Sequence, residues 1–177
     1  MEEYKFKKIG EDVRINPTCQ INRPELIELG SHISIDMCTY ISVGAILGDY
    51  IHIAPHVCIM GGINAMLIME DFTGISAGSK IVCASDDFNQ GFLGPFLPLE
   101  FRNVINKPII FKRFSAIGVN SVILPGVTLA EGSVLGANSL LIHDTEPWTI
   151  YAGSPAKPIK LRNSDMVLFG AKKMGYV

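Results

Sequence analysis

The sequence predicts an all-β chain, a parallel β-helix of six-residue repeats with one long projecting loop and a short C-terminal helix. Three observations predict it. An aliphatic residue recurs every six positions, small or β-branched residues recur four places after those positions, and only two segments break the pattern. A six-residue period matches neither the 3.6 residues of a helical turn nor a long two-residue alternation. It suits a strand of a few residues followed by a sharp corner. Three such units close one triangular coil, and stacked coils pair their strands in parallel around a continuous aliphatic column. The alternative is a β-sandwich with accidental spacing, but a sustained fixed period is the mark of a solenoid.

The ladder opens with Ile9, Ile15, Ile21 and Ile27. A two-residue phase shift carries it to Leu29, Ile35, Ile41, Leu47, Ile53 and Ile59, and a four-residue insertion near Gly61 and Gly62 resets it to Met69, Ile75 and Ile81. Beyond a long interruption come Phe111, Ile117, Ile123, Leu129, Leu135 and Leu141. The corner positions hold Thr39, Val57, Thr73, Ser79, Ser115, Ser121, Val127, Ser133 and Ser139, each small enough to sit beside a large interior neighbour. The repeat is assigned to residues 1–160, with residues 84–108 as the projecting loop; ordered loops of that length are usually functional. Residues 161–177, LRNSDMVLFGAKKMGYV, read as a tail with a short amphipathic helix capped by Asn163 or Ser164, covering the last coil.

Composition bounds the function. The 177 residues suffice for one domain with a real core, and 48% hydrophobic against 18% charged residues excludes a disordered chain. A formal charge of −2 argues against a nucleic-acid surface. No apolar stretch approaches the ~20 residues of a membrane span, and MEEYKFKKIG lacks the apolar segment of a signal peptide. Cys19, Cys38, Cys58 and Cys83 form no CxxC and read as reduced thiols of a cytoplasmic protein.

Residues 117–162, IGVNSVILPGVTLAEGSVLGANSLLIHDTEPWTIYAGSPAKPIKLR, resemble the C-terminal half of the hexapeptide acyltransferases, among them galactoside, maltose and xenobiotic acetyltransferases. The LPGVTL, GSVLGANSL and AGSPAKPIK blocks stand in the family's order, and with the repeat the resemblance covers nearly the whole chain. It implies a left-handed coil, against the usual crossover preference, a homotrimer, and acetyl-CoA as acyl donor in a groove between neighbouring helices. Carried over by position, Gly118, Val119, Gly136 and Ala137 line the pantetheine channel, where small residues let the donor lie close to the backbone; corner geometry alone also asks for glycine there. Lys157 and Lys160 match positions near the nucleotide phosphates, which a cation attracts; a solvated tail is the ordinary alternative. Ile142 departs from a common family Thr near the adenine.

Many family members place a His near the long loop as general base. Here none of His32, His52, His56 and His143 lies in the loop, and ISAGSKIVCASDD puts Asp87 or Asp86 near that position. Two readings stay open. His56, in GDYIHIAPHVCIMGG, reaches the groove from an upstream coil or a neighbouring subunit, with His52 next in order, imidazole being the commonest base. Alternatively Asp86 or Asp87 accepts the proton or holds an ammonium group. A His on a coil wall is more often a surface residue, and an Asp beside a loop its cap. A positioned base is worth roughly 10²–10⁴ in rate, whereas holding the reactants together contributes about 7–11 kcal/mol. A missing loop His therefore tilts the acceptor towards an amine.

The loop SDDFNQGFLGPFLPLEFRNV is similar to the SDDF…P…F.NV loop of acetyltransferases from bacterial surface-polysaccharide clusters, some of which act on dTDP-linked 4-amino-4,6-dideoxyhexoses. That resemblance implies that the Asp pair meets the sugar amine and that Phe88, Asn89 and Phe92 contact the acceptor, with rings stacking on a base or sugar face; packing against a trimer partner is equally compatible. The alternatives are O-acetylation of a galactoside-like or glycan hydroxyl, a gamma-class carbonic anhydrase and a non-catalytic scaffold. The carbonic anhydrase needs three convergent metal ligands, for which His32 is out of pattern, so no metal is expected.

Overall fold

The computed structural model describes residues 4–176, so the first three residues assigned to the repeat and the last of the tail lie outside it. The chain winds through about seven coils whose strands stack into three parallel faces. The first face has eight strands, from Val13–Ile15 to Ala156–Leu161. The second has six, from Gln20–Ile21 to Leu140–Leu141, and the third has five, from Ile27–Leu29 to Thr128–Leu129.

The six-residue ladder is the interior. On the first face Ile15, Ile35, Ile53, Ile75, Ile117, Leu135 and Tyr151 stand in register. Ile21, Ile41, Ile59, Ile81, Ile123 and Leu141 do so on the second, and Leu29, Leu47, Met69, Phe111 and Leu129 on the third. All but the first-coil Ile15 are buried. Ile9 is the exception to the ladder: at 55% exposure, it lies at the open end, where no earlier coil covers it. Tyr4 and Phe6 pack against the core there instead.

All nine small corner residues are buried, and size is not their only qualification. Ser79 Oγ donates to the Gly118 carbonyl at 3.1 Å and Ser121 Oγ to the Gly136 carbonyl at 2.9 Å. The amides of Ser121 and Ser139 donate in turn to the hydroxyls of Ser79 and Ser121, and the amide of Gly153 to that of Ser139. A sharp corner leaves backbone groups without ladder partners, and buried ones must find others.

A second corner carries an aromatic ladder. His32, Tyr50, Phe72, Phe114 and Trp148 all have φ between 49° and 63°. Left-handed backbone costs a non-glycine residue roughly 1–2 kcal/mol, and a stacked aromatic pair returns about 0.5–1.5 kcal/mol. The rings are stacked along the corner at 4.6, 4.9, 5.4 and 6.0 Å between centroids. Gly132 takes the intervening place, where a Cβ would collide with the Trp148 indole.

Residues 84–108 carry more structure than a loop. Ala84–Gly91 and Arg102–Asn106 pair antiparallel, with an irregular register between Asp86 and Gly91. Polar and apolar residues are mixed there without the hexad period, so the reading along the chain shows only an interruption. The coil also ends on an antiparallel turn, Thr149–Gly153 against Ala156–Leu161, which closes the first face. The tail then forms a helix, Asp165–Lys173, with Ser164 at its N-cap. The Ser164 hydroxyl makes no capping bond; the Asn163 side-chain carbonyl accepts from the Asp165 amide at 2.8 Å instead.

Phe111→Ala is expected to destabilise the protein by about 3–5 kcal/mol, whereas Ile9→Ala stays within about 0.5 kcal/mol. Denaturant unfolding of the two variants beside the parent measures the contrast.

Candidate functional site

The outward side of the first face is set by the same register as the core. Arg14, Ser34, His52, Gly74, Ala116, Val134, Ile150 and Lys160 form one outer row. A second row runs beside it, one residue after each interior position, through Ala54, Ser76, Gly118, Gly136 and Ala152, and Ala152 pairs with Lys157. From Ala54 to Ala152 this second row is small throughout, and towards the first coils it continues through Asp36. A Cβ on Gly118 would lie 2.6 Å from the Ala137 amide nitrogen, and one on Gly136 would lie 3.1 Å from Ala152 Cβ. These glycines are needed for close approach of successive coils, not for a left-handed backbone.

The two rows border two clefts that share one residue. A cleft of about 330 Å³, lined by His52, Ala54, Gly74, Ser76, Ala116 and Val119, opens on the small-residue track. Another of about 330 Å³ lies towards the first coils, lined by Asp12, Arg14, His32, Ser34, Tyr50 and His52. His52 Nε2 is 2.8 Å from Asp36 Oδ2, and Ser34 Oγ donates to Asp36 Oδ1 at 3.0 Å. The His52 hydrogen bond is the main cause holding the Asp36 carboxyl below its ordinary pKa.

Lys157 and Lys160 lie opposite outward-facing residues of the neighbouring strand, so both belong to the outer surface of the first face. Both are exposed, and neither enters an ion pair among the described residues. Gly118, Gly136 and the two lysines thus share one face, and Val119 and Ala137 stand in the turns that follow it, with Val119 lining the cleft. The contribution of His52, Asp36 and Ser76 to this face was not legible as a motif. It appears only once the register stacks Ser34 on His52 and sets Ser76 in the cleft beside it.

The hairpin forms a different surface. Asp86 Oδ1 accepts from Arg102 Nη2 at 3.3 Å and its Oδ2 from the Gly94 amide at 3.2 Å. Asp87 accepts from the Asn89 amide and from Asn103 Nδ2, both at 2.9 Å. Phe88, Asn89, Phe92 and Phe96 are exposed, and Phe92 meets Phe101 edge-on beside a cleft of about 500 Å³. His56 sits on a corner with φ 59°, its amide bonded to the Met37 carbonyl, and lines neither cleft of the first face. The hairpin leaves by the corner at Gly61, whose Cβ would approach the Ala84 amide. About 17 Å of extended chain therefore separates His56 from that corner along the second face. Within one chain the Asp pair does not lie beside the small-residue track, and His56 stands on the corner that follows Ala54, in the stack of turns that holds Gly78, Asn120 and Asn138.

Among the described residues no group of three or more His, Cys, Asp and Glu is arranged to hold a metal ion, and no helix is long and apolar enough to cross a membrane. All four cysteines are free. Burial pushes the Cys83 thiol up to about 12, while Cys38 is exposed.

No family model matches the chain. It is 30% identical over 171 residues to a dTDP-4-amino-4,6-dideoxy-D-glucose acyltransferase of Escherichia coli, which spans 94% of this chain and 88% of that protein. Over 124 residues it is 29% identical to WbbJ of Escherichia coli K12, named for O-acetyl transfer in lipopolysaccharide biosynthesis, covering 70% of this chain and 60% of that protein. Among solved structures, AntD, an N-acyltransferase from Bacillus cereus in complex with dTDP and 3-hydroxybutyryl-CoA, superposes with a TM-score of 0.91 at 32% identity, covering 96% of this chain and 90% of that one. Further AntD structures hold dTDP-4-amino-4,6-dideoxyglucose and coenzyme A. Its variants include replacements of one aspartate and of a serine ten positions before it.

A thiol reagent at pH 8 is expected to label Cys38 readily and to leave Cys83 unmodified until the protein is unfolded, because the thiolate is the reactive form. Mass mapping of the labelled peptides reads the order directly.

Proposed function

Because the chain belongs to the hexapeptide-repeat, left-handed β-helix acyltransferases, we propose that it transfers an acyl group, acetyl or a close relative, from a CoA thioester to the amine of a dTDP-linked 4-amino-4,6-dideoxyhexose destined for surface polysaccharide. The single observation that carries the donor half is the small-residue track on the first face. It runs from Lys157 and Ala152 over Gly136 and Gly118 to the cleft at Ser76 and His52. A pantetheine arm is narrow and lies along a backbone only where side chains are absent. Lys157 and Lys160 at the end of the track supply the charge that a nucleotide phosphate needs, and Val119 and Ala137 flank it.

The acceptor half rests on the hairpin. AntD was altered at a serine and an aspartate ten positions apart, and in this chain Ser76 and Asp86 are the only serine and aspartate at that spacing. That supports Asp86, with Asp87 beside it, as the carboxylate that meets the acceptor amine. Ser76 lies in the first-face cleft and Asp86 on the hairpin, so the two come together when the hairpin of one protomer covers the first face of its partner. The exposed Phe88, Phe92, Leu93 and Phe96 favour such an arrangement, and a homotrimer is the assembly this reading requires. Phe88, Asn89 and Phe92 then also face the acceptor. The cytoplasm is the compartment this reading implies.

The chemistry is one displacement. The amine nitrogen attacks the thioester carbonyl, the C–S bond breaks, an amide forms, and CoA leaves as the thiol once a proton has passed from nitrogen to sulfur. The similarity to WbbJ keeps O-acetylation as the second reading.

Acetyl-CoA with dTDP-4-amino-4,6-dideoxy-D-glucose is expected to release free CoA; turnover only with hydroxyl sugars overturns the N-acyl reading. Lys157→Ala and Lys160→Ala should each raise the KM for acetyl-CoA by roughly 1.5- to 5-fold with kcat unchanged, as for an exposed ion pair. Asp87→Asn is expected to slow turnover more than His56→Ala, and the reverse order would favour His56 over the Asp pair as the group that meets the acceptor amine.

A further inference from the structure

We propose that His52, held by Asp36, accepts the proton of the attacking amine; this rests on the acyltransferase reading above. Three observations place it. His52 is the residue common to both clefts of the first face. The cleft on its one side is built of small and apolar residues continuous with the track to Lys157. The cleft on its other side is polar, with Arg14, His32, Ser34 and Tyr50. A thioester arriving along the first and a charged sugar nucleotide seated in the second meet at His52.

Its hydrogen bonding suits the task. A carboxylate only accepts hydrogen bonds, so the 2.8 Å contact to Asp36 Oδ2 requires the proton on His52 Nε2. The neutral ring then carries its lone pair on Nδ1. Asp36 is itself fixed by Ser34 Oγ at 3.0 Å. Base, orienting carboxylate and supporting hydroxyl are the arrangement that general-base catalysis calls for. His52 keeps 60% of its side chain exposed, so a substrate can reach it. The charged and titratable groups facing it are Asp36 and, across the polar cleft, Asp12, Arg14, His32 and Tyr50; the lining of the other cleft brings none.

The step balances. As the amine nitrogen bonds to the thioester carbon, His52 Nδ1 takes one N–H proton. Asp36 stabilises the imidazolium through Nε2–H. When the C–S bond breaks, the imidazolium returns that proton to the departing sulfur, leaving amide, CoA thiol and neutral His52.

Four variants test it: His52→Ala, His52→Gln, Asp36→Asn and Asp36→Glu. Both His52 variants are expected to lose about 10²–10⁴ in kcat/KM for the amino sugar, with the acetyl-CoA Kd, by calorimetry, within twofold of the parent. The acid limb of the pH profile should vanish in both. Asp36→Asn should lower kcat with the acetyl-CoA Kd unchanged, because the ring loses the carboxylate that fixes its orientation and proton position, and Asp36→Glu should restore part of it. Wild-type kcat/KM and an intact acid limb in His52→Ala, or a wild-type kcat in Asp36→Asn, overturn the assignment. A parent enzyme that releases no CoA with any amino sugar overturns the acceptor reading, and this assignment with it.

Discussion

Each coil must set its three interior aliphatics directly over those of the coil before it, and everything else in the molecule follows from that stacking. Ile35, Ile53, Ile75, Ile117 and Leu135 are held in register by parallel ladders on the first face, and equivalent columns fill the other two. Neighbouring strands lie about 4.7–4.9 Å apart. The outside is therefore a lattice of rows as regular as the core. A site on such a surface is a row of residues drawn from many coils: Gly118, Gly136 and Ala152 are far apart along the chain and adjacent along the axis.

The corners bear the cost of this regularity. On one of them serine hydroxyls satisfy backbone groups of the next coil, from Ser79 through Ser121 to Ser139. On another, bulky residues accept a left-handed backbone and recover the cost by stacking, from His32 to Trp148. The tail locks this aromatic corner. Tyr176 sets its ring edge-on against Tyr50 and Phe72 and donates to Asp49 Oδ2 at 2.9 Å. That carboxylate acceptor is the main cause pushing the Tyr176 phenol up to about 12. Arg162 Nη1 donates to the Phe114 and Gly132 carbonyls at 2.7 and 2.9 Å. The C-terminal segment thus ties together coils that otherwise touch only their neighbours.

The interruption at residues 84–108 is the long segment that leaves the lattice between coils, and its carboxylates are already engaged there. Asp86 is bound by Arg102 and the Gly94 amide, and Asp87 by Asn89 and Asn103. These bonds give the hairpin a fixed shape that repeat stacking cannot supply. In the proposed reaction the regular wall holds the donor, and the projecting arm with its exposed aromatics meets the acceptor.

The sequence by itself determined the six-residue period, the interior columns, the buried corner residues and the position of the one projecting segment. Each is a local regularity, and a residue such as Ile59 or Ser121 has the same environment in every coil. The terminal blocks single out six positions from Gly118 to Lys160 because those blocks are contiguous, and the register sets Gly118, Gly136 and both lysines on the outer side of the first face. Three things were not legible in the sequence. Ile9 obeys the period yet is exposed, because a period cannot tell where the stack begins. The hairpin pairing of 84–91 with 102–106 lacks any repeat to announce it. The neighbourhood of Asp36, His52 and Ser76 was decided only by the tertiary structure, because side chains from successive coils become neighbours through inter-coil register, a long-range pairing that no short stretch of chain encodes.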